Sequence, residues 1–464
     1  MSALVDDPRL RRVLAASILA MFAINVDFFS VQAALPDMAH DLGTTVTDLQ
    51  WVLSGFLLVT SCLFIVGGRV ADIQGRRRWM LIGACVFGTG SLLAGAAMSS
   101  EMVIGGRLVQ GVGAAILFPV CLAVVTNAFP SDRTQRAIGL VFGVAAIGNA
   151  VGPFVGGLLT SVVGWRWVLW FNVPIAIAVF VLGFTSVTES RDTSVPRVID
   201  WAGVIVIAMS LGLFTFGVDG AADWGWGSPL ALGLMTAGVL GMVAFVVLER
   251  RVRYPLVDLA LFRIREFTVM IIAGVAGNAV QVVAIFLSMI YLQNVQGLSA
   301  VAAGTAFLAF SLGATLGQQF SGRVERFPSW AAMDVALLVG GAGAIAMGIC
   351  TGSTVAFLVV SVPAGVGLGF SWSFASVVTQ AIAPAEKAGA ASGVVLTALV
   401  GCAGVAVAVA SSALEGDAGS PSSAIGGVLI AFGVVALLVV PLVTVLGRGR
   451  VRASGTERTP QPNA

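Results

Sequence analysis

The sequence predicts an all-α integral membrane protein of about fourteen transmembrane helices, arranged as two six-helix bundles in pseudo-twofold relation plus two linking helices. Composition, recurrent apolar runs and the placement of basic residues carry the membrane class and the span count, and a weak internal echo suggests the duplicated six-helix unit. Of the 464 residues, 58% are hydrophobic and 10% are charged, whereas soluble domains carry roughly 25% charged residues. Lipid must therefore solvate most of the surface. A helix needs about 20 apolar residues to cross the hydrocarbon core. Runs of about that length occupy 13–36, 49–67, 79–98, 103–126, 137–162, 167–187, 201–218, 230–248, 267–292, 302–320, 330–350, 354–382, 388–413 and 425–446.

Residues 1–12 are polar and lead directly into the first run with no small-residue cleavage site, so a cytoplasmic N-terminus without a removable signal peptide is expected. The first bundle takes 13–190 and the two inserted linking helices take 191–250. The basic stretch 251–266 reads as a cytoplasmic connector, with an amphipathic helix expected at the membrane surface. The second bundle takes 267–446, and 447–464 reads as a disordered cytoplasmic tail. A weak internal echo supports the duplication: GGRVADIQGRRR (67–78) follows the second run of the first six, and SGRVERFPSW (321–330) follows the second run of the last six.

Lys and Arg collect in short loops on the cytoplasmic side. With the N-terminus inside, Arg9, Arg11 and Arg12, Arg76 to Arg78, Arg133 and Arg136, Arg191 and Arg197, and the group from Arg250 to Arg265 all fall inside. So do Arg323, Arg326, Lys387, Arg448, Arg450 and Arg452. The alternate loops carry Asp37, Asp41, Asp48, Glu101, Asp219, Asp223, Glu415 and Asp417, with Arg166 as the loop exception. An even number of spans with both termini in the cytoplasm follows.

Three motifs carry chemistry. In the loop after the second run, Gly68 and Gly75 permit a tight turn, Asp72 can satisfy the start of the next helix or pair with a base, and Arg76, Arg77 and Arg78 can anchor to phosphates. A plain basic loop explains these residues equally well. In RLVQGVGAAILFP (107–119), Arg107 lies inside the fourth run, at a cost of roughly 3 kcal/mol unless it faces a partner or cavity. The fifth run holds Gly139, Gly148, Gly152, Pro153, Gly156 and Gly157. Gly148, Gly152 and Gly156 recur every fourth residue and form a smooth face for a neighbouring helix. Pro153 has no amide hydrogen to give the Asn149 carbonyl.

Other chemistries are poorly served. The single lysine, Lys387, has no Gly-Lys-Ser/Thr context, so an ATP-binding P-loop is excluded. GVGLGF (365–370) lies within an apolar run and reads as helix packing. Cys62, Cys85, Cys121, Cys350 and Cys402 show no CxxC spacing, and His40 is the only histidine, so no metal site is expected. A net charge of +2 suggests no nucleic-acid partner. No cofactor is expected, which leaves an ion gradient to drive any pumping.

At these residues the chain resembles the major facilitator superfamily and, within it, the fourteen-spanner drug:proton antiporters. Motif A of that superfamily matches at 68–78, motif B at 107–113, and the antiporter motif C at 139–157. The family's opening pattern is similar to NVDFFSVQAALPDMAHDLG (25–43) followed by Trp51, and its central patterns to PLVDLALFRIREF (255–267) and YLQNVQGLSAVAAG (291–304). Ile73 departs from motif A, where a basic residue usually follows the aspartate. The resemblance implies two bundles that rock around a central site, motif C at a bundle interface on the outer side, and proton-driven export of small, largely apolar drugs or natural products. A dedicated exporter of a lipid, siderophore or endogenous metabolite would use the same motifs. A membrane-embedded enzyme or sensor is disfavoured by the lack of a catalytic cluster or a soluble domain.

Asp27 is the one acid placed deep in a run and Arg107 the one base, which makes them the proton-coupling candidates. Desolvation favours the protonated acid and a nearby guanidinium favours the carboxylate, so proton uptake would depend on whether the site is wet. A purely structural Asp27, bonded to backbone, is the alternative. Asp334 is expected in water at a cytoplasmic helix end. Phe28, Trp170, Tyr291 and Trp372, with Phe29, Phe171 and Phe374, are candidates to line a substrate cavity. The expected partners are a small-molecule substrate and membrane lipids, with the protein acting as a monomer in the cell membrane.

Overall fold

The computed structural model describes residues 7–191, 198, 200–253, 255, 257, 259–321, 328–382, 388–415 and 420–447. Arg197, Arg323, Arg326, Lys387, Asp417, the middle of the 321–330 echo and the tail from 448 onward lie outside them. The described residues form helices and no strand. That is what lipid demands of an open chain, since helices satisfy their own backbone.

The first bundle comprises α1 (Pro8–Leu42), α2 (Trp51–Gln74), α3 (Arg76–Gly95), α4 (Ser100–Ala128), α5 (Ser131–Val163) and a sixth span built from α6 (Arg166–Trp170) and α7 (Asn172–Ser186). The linking pair is α8 (Trp201–Trp224) and α9 (Pro229–Glu249). The second bundle comprises α10 (Arg265–Ile290), α11 (Ala300–Ser321), α12 (Ser329–Ile349), α13 (Thr354–Ile382), α14 (Ala388–Glu415) and α15 (Pro421–Gly447). Fourteen spans result, matching the apolar runs one for one.

Local chemistry starts and stops these helices. Asp7 accepts the Arg9 amide at 2.8 Å with Pro8 in the first helical turn, and α1 ends at Gly43, whose φ of 66° suits glycine. Asp200 caps α8 in the same way, accepting the Gly203 amide at 2.9 Å.

The bundles repeat each other helix by helix. In the first, α1 packs on α4, α5 and α7, α3 on α4 and α7, and α2 on α4. In the second, α10 packs on α13, α14 and α15, α12 on α13 and α15, and α11 on α13. The bundles meet along two seams that the pseudo-twofold exchanges, α5 with α11 and α2 with α14. The linking helices stay outside: α8 leans on α14 and α2, while α9 packs chiefly on α8 and leaves Leu240 and Val243 exposed. In hydrocarbon such exposure carries no penalty.

The connector differs from expectation. Among its described residues there is a single 3-10 turn, Leu259–Arg263, and no amphipathic α-helix. Pro255 lacks the amide needed to extend α9. Leu261 is buried against Phe267, Ile271 and Leu399, which draws the turn into the second bundle rather than onto the membrane surface. Asp334 also departs from expectation: it is 8% exposed, and Thr444 on the adjacent α15 donates to its carboxylate at 2.5 Å. A helix end is not solvated when a neighbouring helix overhangs it.

Candidate functional site

At the heart of the first bundle, α1 and α4 bring Asp27 and Arg107 together, both with no solvent exposure. Arg107 Nη1 donates to Asp27 Oδ2 at 2.5 Å and to Gln110 Oε1 at 2.7 Å, and its Nε donates to the Val52 carbonyl at 3.0 Å. The other carboxylate oxygen accepts from Gln110 Nε2 at 3.0 Å and Asn172 Nδ2 at 2.6 Å. Gln110 also donates to Ser91 Oγ at 2.7 Å. The Phe56 ring covers the guanidinium carbon at 4.1 Å. Arg107 Nη2 and Asn172 Oδ1 are buried without a hydrogen-bond partner, and deleting one member of a buried ion pair of this kind costs about 3–5 kcal/mol. The Asp27 carboxylate supplies the counter-charge that holds Arg107 in place.

Gln110, Asn172 and Ser91 were not singled out from sequence. Gln110 had a usable signal, since it sits three residues after Arg107 and so on the same helix face. Asn172 lies 145 residues from Asp27 and carried no such mark.

Beside this cluster, between the bundles, is a cavity of about 110 Å³ lined from α1, α2, α4, α5, α10, α11, α13 and α14. Phe28, Phe29, Phe56, Phe64, Phe118 and Trp372 give it aromatic walls. Asn25, Thr60, Asn149, Asn278, Gln281 and Gln318 supply its polar groups. Phe28 and Phe56 stack at 6.4 Å, which links the wall to the ring over Arg107.

Of the aromatic candidates, Phe28 and Trp372 line this cavity, whereas Trp170 and Tyr291 do not. Tyr291 is fully buried against Phe357 at 4.5 Å, and its hydroxyl donates to the Thr351 carbonyl at 2.8 Å. Trp170 donates to the Leu92 carbonyl at 3.3 Å and lines a separate recess with Asp37, Asp41 and Arg166. Phe374 is also buried, stacked on Phe370 at 5.0 Å. An aromatic in an apolar run is equally soluble on every face of its helix, so only packing decides which way it points.

The motif A segment closes the turn from α2 to α3. Gly68 passes α4 where a Cβ would lie 3.3 Å from Pro119, and Gly75 has a φ of 128°. A Cβ on Gly75 would also sit 2.5 Å from the Glu189 carboxylate. It is Glu189, from beyond α7, that caps α3, accepting the Arg77 and Arg78 amides at 3.1 and 3.2 Å. Asp72 instead pairs with Arg76 at 2.8 Å. Arg77 lies over the Phe184 ring at 4.9 Å and donates to the Phe184 carbonyl at 2.8 Å. Arg166, the exception in the charge pattern, pairs with Asp41 at 2.7 Å on its own side.

The glycines of α5 serve two neighbours. A Cβ on Gly148 would lie 3.1 Å from the Phe22 carbonyl oxygen, one on Gly152 2.6 Å from Phe29 Cβ, and one on Gly156 would run into the Ser30 carbonyl, all on α1. Gly157 faces the other way, against the Ala300 carbonyl of α11, and Gly304 of α11 returns the contact against the Pro153 carbonyl. Gly139 takes no part: nothing lies within 4 Å of the position its Cβ would occupy.

Two matched bundles closing on a central cavity, with a buried ion pair alongside, define a secondary membrane transporter rather than an enzyme. The chain belongs to the Major Facilitator Superfamily, whose family model matches residues 17–400. It is 30% identical over 386 residues to the tetracenomycin C resistance and export protein of Streptomyces glaucescens, covering 82% of this chain and 71% of that one. It is 36% identical over 315 residues to the puromycin resistance protein of Streptomyces alboniger, covering 67% of this chain and 62% of that one. The multidrug resistance protein Stp of Mycobacterium tuberculosis is 30% identical over 388 residues, with 82% and 71% covered. Among solved structures, a D-xylose–proton symporter shares the fold with a TM-score of 0.68 at 13% identity, covering 93% of this chain and 96% of that one. Transporters of this superfamily work without a cofactor and draw on an ion gradient.

Proposed function

We propose that the protein exports small, largely apolar drugs or natural products across the cell membrane in exchange for protons, by alternating access. The observation that carries this reading is the Asp27–Arg107 pair, the one fully buried ion pair among the described residues, standing next to the central cavity. The names of the relatives, resistance and export proteins for antibiotics, support the direction and the substrate class. The α5–α11 contact closes one side of the cavity, and Ile65 of α2 lies against Gly393 of α14 toward the other. At about 110 Å³ the cavity is smaller than the roughly 300 Å³ of a drug-sized site, so the bundles must part to load it. One chain encloses the cavity, which supports a monomer as the working unit. The division at 13–190, 191–250 and 267–446 gives the moving bodies.

In inverted vesicles holding the purified protein, an imposed pH gradient is expected to drive accumulation of tetracenomycin C, and a protonophore to abolish it. Accumulation that ignores the gradient would sink the antiport reading.

The arginine distribution supports a cytoplasmic location for both termini. Reporter fusions after Arg78, Arg136 and Arg265 are expected to register as cytoplasmic, and fusions near Asp41 and Asp223 as external. An external signal after Arg265 would refute this orientation.

A further inference from the structure

We propose that the central cavity selects uncharged aromatic molecules bearing hydroxyl or N–H groups and turns away lipophilic cations. This rests on the export reading above and specifies its substrate class. Among the described residues, the cavity wall holds aromatic faces and carboxamides but no ionisable side chain. Gln281 is 6% exposed, and its Oε1 has no hydrogen-bond partner. Asn149 Oδ1 is buried and unpartnered as well. Asn278 and Asn25 each spend one amide N–H on a backbone carbonyl, that of Leu399 at 2.8 Å and that of Met21 at 2.7 Å, which holds both carboxamides at the cavity wall. A buried acceptor without a donor is a standing penalty that a solute's hydroxyl or N–H relieves.

The charges nearest this wall are withheld from it. Asp27 already accepts from Arg107, Gln110 and Asn172 and has no exposure. Arg107 is equally buried, and Phe56, which itself lines the cavity, covers its guanidinium. An ion entering such a site would lose its hydration and find no counter-charge. An uncharged, hydroxylated ring system meets acceptors at its edge and aromatic rings on its faces.

The test uses the purified full-length protein near neutral pH, with equilibrium dialysis of three matched probes: dihydroxynaphthalene, naphthalene and naphthyltrimethylammonium. Dihydroxynaphthalene is expected to bind roughly tenfold tighter than either of the others. Gln281→Leu is expected to remove most of that advantage, bringing dihydroxynaphthalene close to naphthalene in affinity. Gln281→Glu keeps the shape and places a carboxylate in the wall, so naphthyltrimethylammonium should gain roughly tenfold in affinity. That gain of function remains readable if the leucine variant misfolds. Cation binding to the wild type as tight as that of the diol would overturn the proposal, as would equal weakening of diol and parent by Gln281→Leu. Gradient-driven uptake of the cation but not the diol would also overturn it, while leaving the export reading intact. Selective binding of the diol with no gradient-driven uptake of any probe would uphold the selectivity and overturn the export reading.

Discussion

In inverted vesicles, the Asp27→Asn protein is expected to retain substrate binding and to lose pH-gradient-driven uptake down to the background of protein-free vesicles. Asparagine keeps the size of the side chain, and its oxygen can still accept from Arg107 or from Asn172. It cannot release or take up a proton, and it leaves Arg107 without its counter-charge. The carboxylate now accepts at 2.5 Å from Arg107 and at 2.6 Å from Asn172, so the amide's own N–H₂ must face one of these donors. Removing one member of a buried pair costs about 3–5 kcal/mol, a large part of a typical stability of about 5–15 kcal/mol. Uptake must therefore be normalised to folded protein, and binding is the control that separates loss of coupling from loss of fold. Asp27→Glu, which restores the charge on a longer stem, should recover part of the uptake. Wild-type rates in Asp27→Asn would move coupling elsewhere, with Asp219, which accepts from Trp51 Nε1 at 2.7 Å, the next group to test.

Gly157→Leu is expected to reduce transport at least tenfold while the protein still inserts and folds within each bundle. The α5 and α11 backbones touch at this seam, with Gly157 against the Ala300 carbonyl and Gly304 against the Pro153 carbonyl. A leucine there can be accommodated only by separating the two bundles, since the obstacle is main chain and cannot rotate away. The seam that should close in one half of the transport cycle would then be held open. Gly156→Leu meets the Ser30 carbonyl within the first bundle and should impair folding as well as transport. Gly139→Leu, with nothing within 4 Å of the added carbon, serves as the matched control and should transport normally. Full activity in Gly157→Leu, measured in vesicles at equal protein, would show that this seam does not have to close.

Much of the architecture was legible in the chain because its causes are local. Each span must carry its own apolar length and satisfy its own backbone, so the fourteen runs translate directly into fourteen spans. The glycines at 148, 152 and 156 fall on one helix face by spacing alone, and a helix does pack there. A lone acid and a lone base deep in apolar runs pointed to each other for the same reason: neither is tolerable in lipid without a partner.

The tertiary structure decided everything that depends on how each helix is turned about its axis. In water an apolar stripe marks the inner face of a helix, but in a bilayer the lipid-facing and core-facing residues are both apolar, and the stripe carries no such message. Tyr291 and Trp170 were therefore indistinguishable in sequence from Phe28 and Trp372, although only the latter two reach the cavity. Glu189 caps α3 from more than a hundred residues away, and Asn172 reaches Asp27 from the sixth span, because the packing of α7 on α3 and α1 carries them there. Side-chain interlocking between helices, rather than the transfer of any one helix into lipid, sets those rotations. It is an energy that no single segment of the chain contains.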